Sequence, residues 1–434
     1  MLLRSLAASR LLLAAVLVPA ISGNLPGQIG AGTPGIPQTS AAKRLQIESF
    51  EAVWTTIRDK HWDPHPGGLD WNKIHDEYRP LIDRAATDEE ARKIMRAMLA
   101  RLKQTHFAIL TPGLAEDIVG DGGDATPGFE TRILPDGVIV TETYAAGEVR
   151  TGWELLTAGQ WDIRALLEKL RADHAIPPYA MERAIQSRIT GPLGAKKHYT
   201  FRDSTDQRIA LDIQLNAPRG EPANFGNLPP QHVWFESRKI NDIAYVRLSE
   251  FLDLPRVLPA FGKAVEHCSP CQGLIIDLRG NPGGIAGMAM GMAGWLTDHA
   301  DQRLGTMYMR GAALNFVINP RAKAFTGPVA ILVDSASAST SEIFAGGLQD
   351  LHRARIFGTK TAGAALPSVF TRLPNGDGFQ YAVANYVSEG GLTLEGNGVT
   401  PDVPVELTRN GLLAGDDAVM DAALEWIRQQ GNKP

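Results

Sequence analysis

The hydrophobic period changes twice along this chain of 434 residues, and that change limits the fold more than any single motif. Leu45–Lys60 carries Ile47, Phe50, Val53, Trp54 and Ile57 at the spacing of one helix face. Pro64, Pro66, Gly67 and Gly68 interrupt it, and Asp70–Arg84 reads as a second helix. Thr87-Asp88-Glu89-Glu90 is a capping box opening a third helix with Ile94, Met98 and Leu102 on one side. From Phe129 the pattern turns to strands: Gly137–Thr141, Gly152–Thr157, then Tyr199 and Phe201 alternating, then Ile209, Leu211, Ile213 and Leu215, with one short helix at Ile163–Leu170. From Val233 short apolar strands (Ile243–Leu248, Leu274–Leu278, Val329–Val333, Arg355–Phe357) alternate with helical stretches near Val257–His267, Ile285–Leu296 and Ser341–Leu351. That alternation is the mark of an α/β layer. Phe379–Val387 adds a strand in a hairpin. No fixed-period repeat is present.

Length alone suggests about three structural units. The net charge of -5 argues against a whole-protein binder of nucleic acid or anionic membranes. Arg4 and Arg10 precede the apolar run Leu11–Ile21, with small residues Ala20, Ser22 and Gly23 at its end, so residues 1–23 read as a secretory signal peptide. The run is too short to span a bilayer comfortably, and no stable membrane span is expected after leader removal. Residues 24–42 read as a disordered linker rich in Gly and Pro. The expected organisation is a helical unit over 43–110, a β-rich module over 117–217, an α/β core over 233–410, and a C-terminal helix and tail over 411–434. Localisation follows from the leader: exported, periplasmic or secreted. The two cysteines form the CxxC Cys268-Ser269-Pro270-Cys271; with no second pair a four-Cys zinc site is excluded, and a local disulfide is the expectation for an exported chain.

Four segments offer chemistry. In Val333–Phe344 a strand ends, small residues follow and a helix begins, so Ser339 would sit among unpaired N–H groups at the positive end of a helix. The same Ser339-Thr340-Ser341-Glu342 is also an S-x-x-E capping box. In Ile276–Gly284 a buried strand runs into a glycine-rich turn, which fits neither a dinucleotide fingerprint nor a P-loop. His106 follows the capped helix, and Glu395 lies in the turn-rich Glu395–Asp402. Ser339, His106 and Glu395 together fill the roles of nucleophile, base and orienting carboxylate that an activated serine requires. No H-E-x-x-H, no G-x-S-x-G and no basic aromatic run occurs, so no cofactor, metal or nucleic-acid partner is expected.

On Asp277-Leu278-Arg279-Gly280-Asn281-Pro282-Gly283-Gly284 and Ser337-Ala338-Ser339-Thr340-Ser341-Glu342-Ile343-Phe344-Ala345-Gly346, the chain resembles the tail-specific, or C-terminal-processing, serine peptidase family, which includes the catalytic core of tricorn protease. The resemblance implies an α/β catalytic core of the Clp protease–crotonase type, preceded by the helical unit and by a PDZ-like module. It implies Ser339 as nucleophile, with backbone N–H groups of Thr340 and of Gly283 or Gly284 as oxyanion hole. Position 364, where the processing branch carries its lysine base, is Ala364, and Lys360 lies four residues early. The tricorn-like branch uses an upstream Ser/His pair and a late Glu, which Thr105-His106 and Glu395 match, Thr replacing Ser. The implied tetrad is Thr105, His106, Ser339 and Glu395, acting on a polypeptide substrate. Two other readings of the fold are a noncatalytic protein binding a hydrophobic ligand or peptide, and crotonase-type acyl-CoA chemistry, against which the leader and the PDZ-like module weigh.

Overall fold

The computed structural model describes residues 40–110, 123–172, 176–224, 230–268 and 271–431. The expected signal peptide, residues 24–39 of the expected linker, and residues 117–122 at the expected start of the β-rich module lie outside the described residues.

The core is a six-stranded sheet in the order Phe235–Ile240, Ile243–Leu248, Gly273–Asp277, Val329–Val333, Arg355–Gly358, Val403–Pro404. The first pair is antiparallel and every later pair is parallel. Gly273–Asp277 and Val329–Val333 are buried at every position, as strands covered on both faces must be. The helices Leu254–His267, Ala286–Ala293 and Thr340–Asp350 cover one face through Phe261, Met292, Phe344 and Leu348. Ala418–Gly431 covers the other through Val419, Ala423 and Ile427. The carboxyl ends of three adjacent parallel strands, at Asp277, Val333 and Gly358, open onto the two glycine- and serine-rich turns singled out in the sequence and onto segment 359–365. Ligand sites of open α/β sheets form at such strand ends.

The β-rich module is one antiparallel sheet: Phe129–Leu134, Gly137–Thr143, Glu154–Ala158, Lys196–Arg202 and Arg208–Gln214. It carries two helices, Ile163–Ala172 and Pro178–Ile189, where the sequence pattern suggested one. Pro177-Pro178 looks like punctuation, yet Pro is at home in a helix's first turn, whose N–H groups have no intrahelical acceptor. The expected strand Phe379–Val387 is in fact two. Gly378–Ala382 pairs with Ser368–Arg372 and with Ala108–Leu110, whereas Ala384–Ser388 pairs with Arg303–Met309 in a different sheet.

The N-terminal helices Ser40–Lys60, Trp71–Arg84 and Asp88–Ala100 pack through Phe50, Ile57, Ile82 and Met95, and the same apolar cluster continues into Phe107, Leu366, Phe379 and Tyr381. The helical unit therefore shares its core with the Ser368–Ala382 hairpin. A two-pronged ion pair reinforces the join: Arg92 Nε and Nη2 donate to the fully buried Asp377 carboxylate at 2.9 and 3.1 Å. Arg92→Ala would strand that carboxylate, which costs about 3–5 kcal/mol. The expected result is a large drop in melting temperature, read by thermal denaturation.

Candidate active site

The Thr105-His106 pair sits between the Asp88–Ala100 helix and the Ala108–Leu110 strand. The turn is anchored by the buried His61, whose Nε2 lies 2.9 Å from Gln104 Oε1 and whose ring stacks on Phe107 at 5.7 Å. His106 has a positive φ of 62°, a conformation uncommon outside glycine. Its Nδ1 lies 2.6 Å from Thr105 Oγ1. That hydroxyl donates to Glu395 Oε2 at 3.0 Å, and the Thr105 N–H donates to Glu395 Oε1 at 2.7 Å. A hydroxyl has one hydrogen, so donation to Glu395 makes Thr105 the acceptor of an Nδ1–H. The neutral ring then carries its lone pair on Nε2, the tautomer a base requires. His106 Nε2 is buried and has no hydrogen-bond partner.

Ser339 stands immediately before the Thr340–Asp350 helix, also at positive φ (54°), and its Oγ too is buried without a partner. The Glu342 half of the capping box forms, with the Ser339 N–H donating to Glu342 Oε2 at 2.9 Å, while the serine hydroxyl is left over. Strained backbone and unpaired buried atoms concentrate at functional sites because surrounding packing must hold them there. Ser339 and His106 are linked through segment 363–365 and Glu395: the Ser339 N–H, shared with Glu342 Oε2, donates to Ala364 O (2.9 Å), and Ala365 N–H donates to Glu395 Oε2 (3.1 Å). Their side chains do not hydrogen-bond to each other.

Of the expected oxyanion donors, the Gly283 N–H is engaged by Asn281 Oδ1 at 2.9 Å. Among the described residues the N–H groups of Gly284 and Thr340 have no acceptor. The Thr340 hydroxyl donates to Gly284 O at 2.9 Å and holds the two segments together. Gly283 lies against Ser339 at φ 101°; a Cβ there would stand 2.8 Å from Thr340 N and 2.7 Å from Ala338 O. Gly283→Ala would thus push a methyl group onto a free donor, and turnover should fall about 100- to 1000-fold, the usual result of losing one such donor. Steady-state kinetics on the folded variant reads this.

Burial sets the electrostatics. His106 is pushed down to about 3 by desolvation of its charged form. Glu395 is pushed up to about 7, first by burial and further by the charge of Glu342, against the pull of its donors from Thr105 and Ala365. Ser339 is wholly inaccessible and His106 is 1% exposed. Tyr179 and Ala180 of the unexpected helix pack on Ala338, which precedes Ser339, and on Ala364, which accepts the Ser339 N–H. Ala364 stands where a lysine base would be, and Lys360 is exposed. Among the described residues no group of His, Cys, Asp and Glu is arranged to hold a metal ion.

Residues 242–405 match Peptidase family S41, and residues 44–100 match the Tricorn protease C1 domain. The carboxyl-terminal-processing protease of Synechocystis sp. is 26% identical over 390 residues, covering 86% of this chain and 83% of its own length. Carboxyl-terminal-processing peptidase 1, chloroplastic, of Arabidopsis thaliana is 28% identical, covering 84% of this chain and 72% of its own. The chain is a serine-type peptidase. These matches support the C-terminal-processing peptidase family. Two solved structures share the fold: the photosystem II D1 C-terminal processing protease (TM-score 0.58, 21% identity, 88% of this chain and 99% of that one) and mature CPAF (TM-score 0.61, 15% identity, 91% and 98%).

The cysteines of this peptidase depart from expectation. Cys268 and Cys271 are free thiols, not a disulfide. Cys268 is buried in the core and its Sγ contacts Gly273 O at 3.6 Å, and burial beside Cys271 pushes its thiol well up. The helix Pro178–Ile189 and the anchor His61 were missed in the sequence. The Tyr179, Ile185 and Ile189 spacing was the available signal for the first, and nothing marked the second.

Proposed function

We propose that this peptidase is an exported endopeptidase that cuts polypeptides through an acyl-enzyme on Ser339, with His106 as general base. The observation that carries the reading is the pair of orphaned buried atoms, Ser339 Oγ and His106 Nε2, backed by the Thr105–Glu395 chain that selects the basic tautomer. Ser339 Oγ attacks the scissile carbonyl carbon as its proton passes to Nε2. The imidazolium is stabilised through Nδ1–H, the Thr105 hydroxyl and the Glu395 carboxylate. The N–H groups of Thr340 and Gly284 receive the oxyanion, with Gly283 shaping the turn. Nε2–H then protonates the leaving amine, and water hydrolyses the ester. The β-rich module is read as PDZ-like, offering a strand edge to an extended peptide or serving as a lid. Export is carried by the amino-terminal leader pattern in residues 1–23. Among the described residues no helix is long and apolar enough to cross a membrane.

The test is cleavage of an unstructured polypeptide such as casein by the purified protein and by Ser339→Ala. Fragments that appear with the parent and vanish with the variant support the proposal. Retention of intact polypeptide by both would contradict the endopeptidase reading.

A further inference from the structure

Glu342 lies outside the roles assigned above, yet it is the most fully bonded buried acid near the nucleophile. Its carboxylate accepts four hydrogen bonds: Oε2 from Ser339 N–H (2.9 Å) and Ala364 N–H (3.0 Å), Oε1 from Thr361 Oγ1 (2.6 Å) and Gly363 N–H (2.7 Å). An ionised carboxylate offers about four lone-pair sites and no donor, so the set matches the anion completely. Capping the Thr340–Asp350 helix accounts for one of these bonds. The other three run to a different segment, 361–364. The Thr361 hydroxyl also accepts the Val399 N–H at 2.7 Å, which fixes its direction.

The next amide in that segment, Ala365, donates to Glu395. Three consecutive N–H groups thus enter two buried carboxylates. Gly363 and Ala364 bind the one tied to Ser339, and Ala365 binds the one tied to Thr105 and through it to His106. We propose that Glu342 is a positioning residue: it locks segment 361–364 to the nucleophile turn and so sets where Ser339 Oγ stands relative to His106 Nε2. This rests on the Ser339–His106 reading above.

Glu342→Gln keeps the shape but turns an NH2 group toward two donors, so one side of the clamp must open. Misplacement of reacting atoms by about 1 Å costs on the order of 100-fold in rate. We expect kcat on casein to fall about 100-fold and fluorophosphonate labelling of Ser339 to slow in parallel. KM should stay within about twofold, because no substrate contact is removed. Thr361→Val removes one donor to Glu342 and the acceptor of the Val399 N–H, and leaves the Ser339 bond in place; it should lower kcat roughly tenfold at unchanged KM. Near-UV circular dichroism and active-site titration restrict both comparisons to folded enzyme. If Glu342→Gln does not fold, Thr361→Val decides the matter. Parental kcat in either folded variant, or a change confined to KM, overturns the proposal. Undiminished labelling of Ser339→Ala would overturn the nucleophile reading itself. Loss of that labelling, with Glu342→Gln reacting at the parental rate, would overturn only the role of Glu342.

Discussion

Replacing His106 by Ala should lower kcat/KM by on the order of 10^4-fold or more, whereas Lys360→Ala should leave it within about twofold. The contrast follows from where the two side chains stand. Lys360 is exposed, and the position a lysine base would occupy is the buried Ala364. His106 has a free Nε2 in the site and a tautomer held by Thr105. The same chain dictates the pH dependence. Glu395, faced by Glu342 and Tyr179, is raised to about 7, so it takes up a proton as pH falls through that value. A proton on Oε2 would donate to Thr105 Oγ1 and turn the Thr105 hydrogen toward Nδ1, which moves the ring proton to Nε2 and removes the base. Activity is therefore expected to fall as pH drops through about 7, the value to which burial raises Glu395. Glu395→Gln should abolish that limb and lower kcat by on the order of 10^3- to 10^4-fold, the scale of loss when an orienting acid no longer selects the tautomer. A kcat/KM profile from pH 5 to 9 measures both effects. Full activity of His106→Ala together with inactive Lys360→Ala would restore a lysine mechanism.

Tyr179→Ala should raise the rate of fluorophosphonate labelling roughly 10- to 100-fold, because burying an apolar side chain stabilises a closed state by about 1.5–3 kcal/mol. The structure is a closed state in this sense. Ser339 is wholly inaccessible and Tyr179 and Ala180 lie over Ala338 and Ala364. Desolvation pushes His106 down to about 3, so uncovering the ring should raise its basicity again. The module that carries Tyr179 is fastened to the core by Arg132 Nε to Asp334 Oδ2 (3.0 Å) and by Arg247 Nη2 to Glu130 Oε2 (3.1 Å). Asp334 Oδ1 also accepts the Ala336 and Ser337 N–H groups, so the fastening reaches the nucleophile turn itself. Withdrawal of the Pro178–Ile189 helix is expected to uncover Ala338 and Ala364 beside Ser339. Labelling time courses of parent and variant measure the effect. Equal rates would mean that Tyr179 is no plug.

The buried strands of the core were legible in the sequence because short apolar runs between turn residues have few other uses. Ile243–Leu248 and Val329–Val333 match to the residue. Ser339 stood out as a candidate because small residues there meet the start of a helix, whereas Thr105, His106 and Glu395 gained their proposed roles through the family resemblance. The Pro178–Ile189 helix was not legible. It buries Glu182 within the module, where Glu182 Oε1 accepts the Ile133 N–H at 2.8 Å, so its polar pattern reads as surface. The split of Phe379–Val387 was hidden for a similar reason: period tells which face is buried, not which sheet a strand joins. Glu342 showed only as a capping residue. Three of its four partners lie 19–22 positions away, in a loop whose approach only the fold reveals.

Intact-mass and peptide mass spectrometry after fluorophosphonate treatment shows whether Ser339 is the nucleophile. One covalent adduct per chain is expected on the peptide containing Ser339, absent in Ser339→Ala and slowed in His106→Ala. An adduct on another residue, or undiminished labelling of Ser339→Ala, would contradict it.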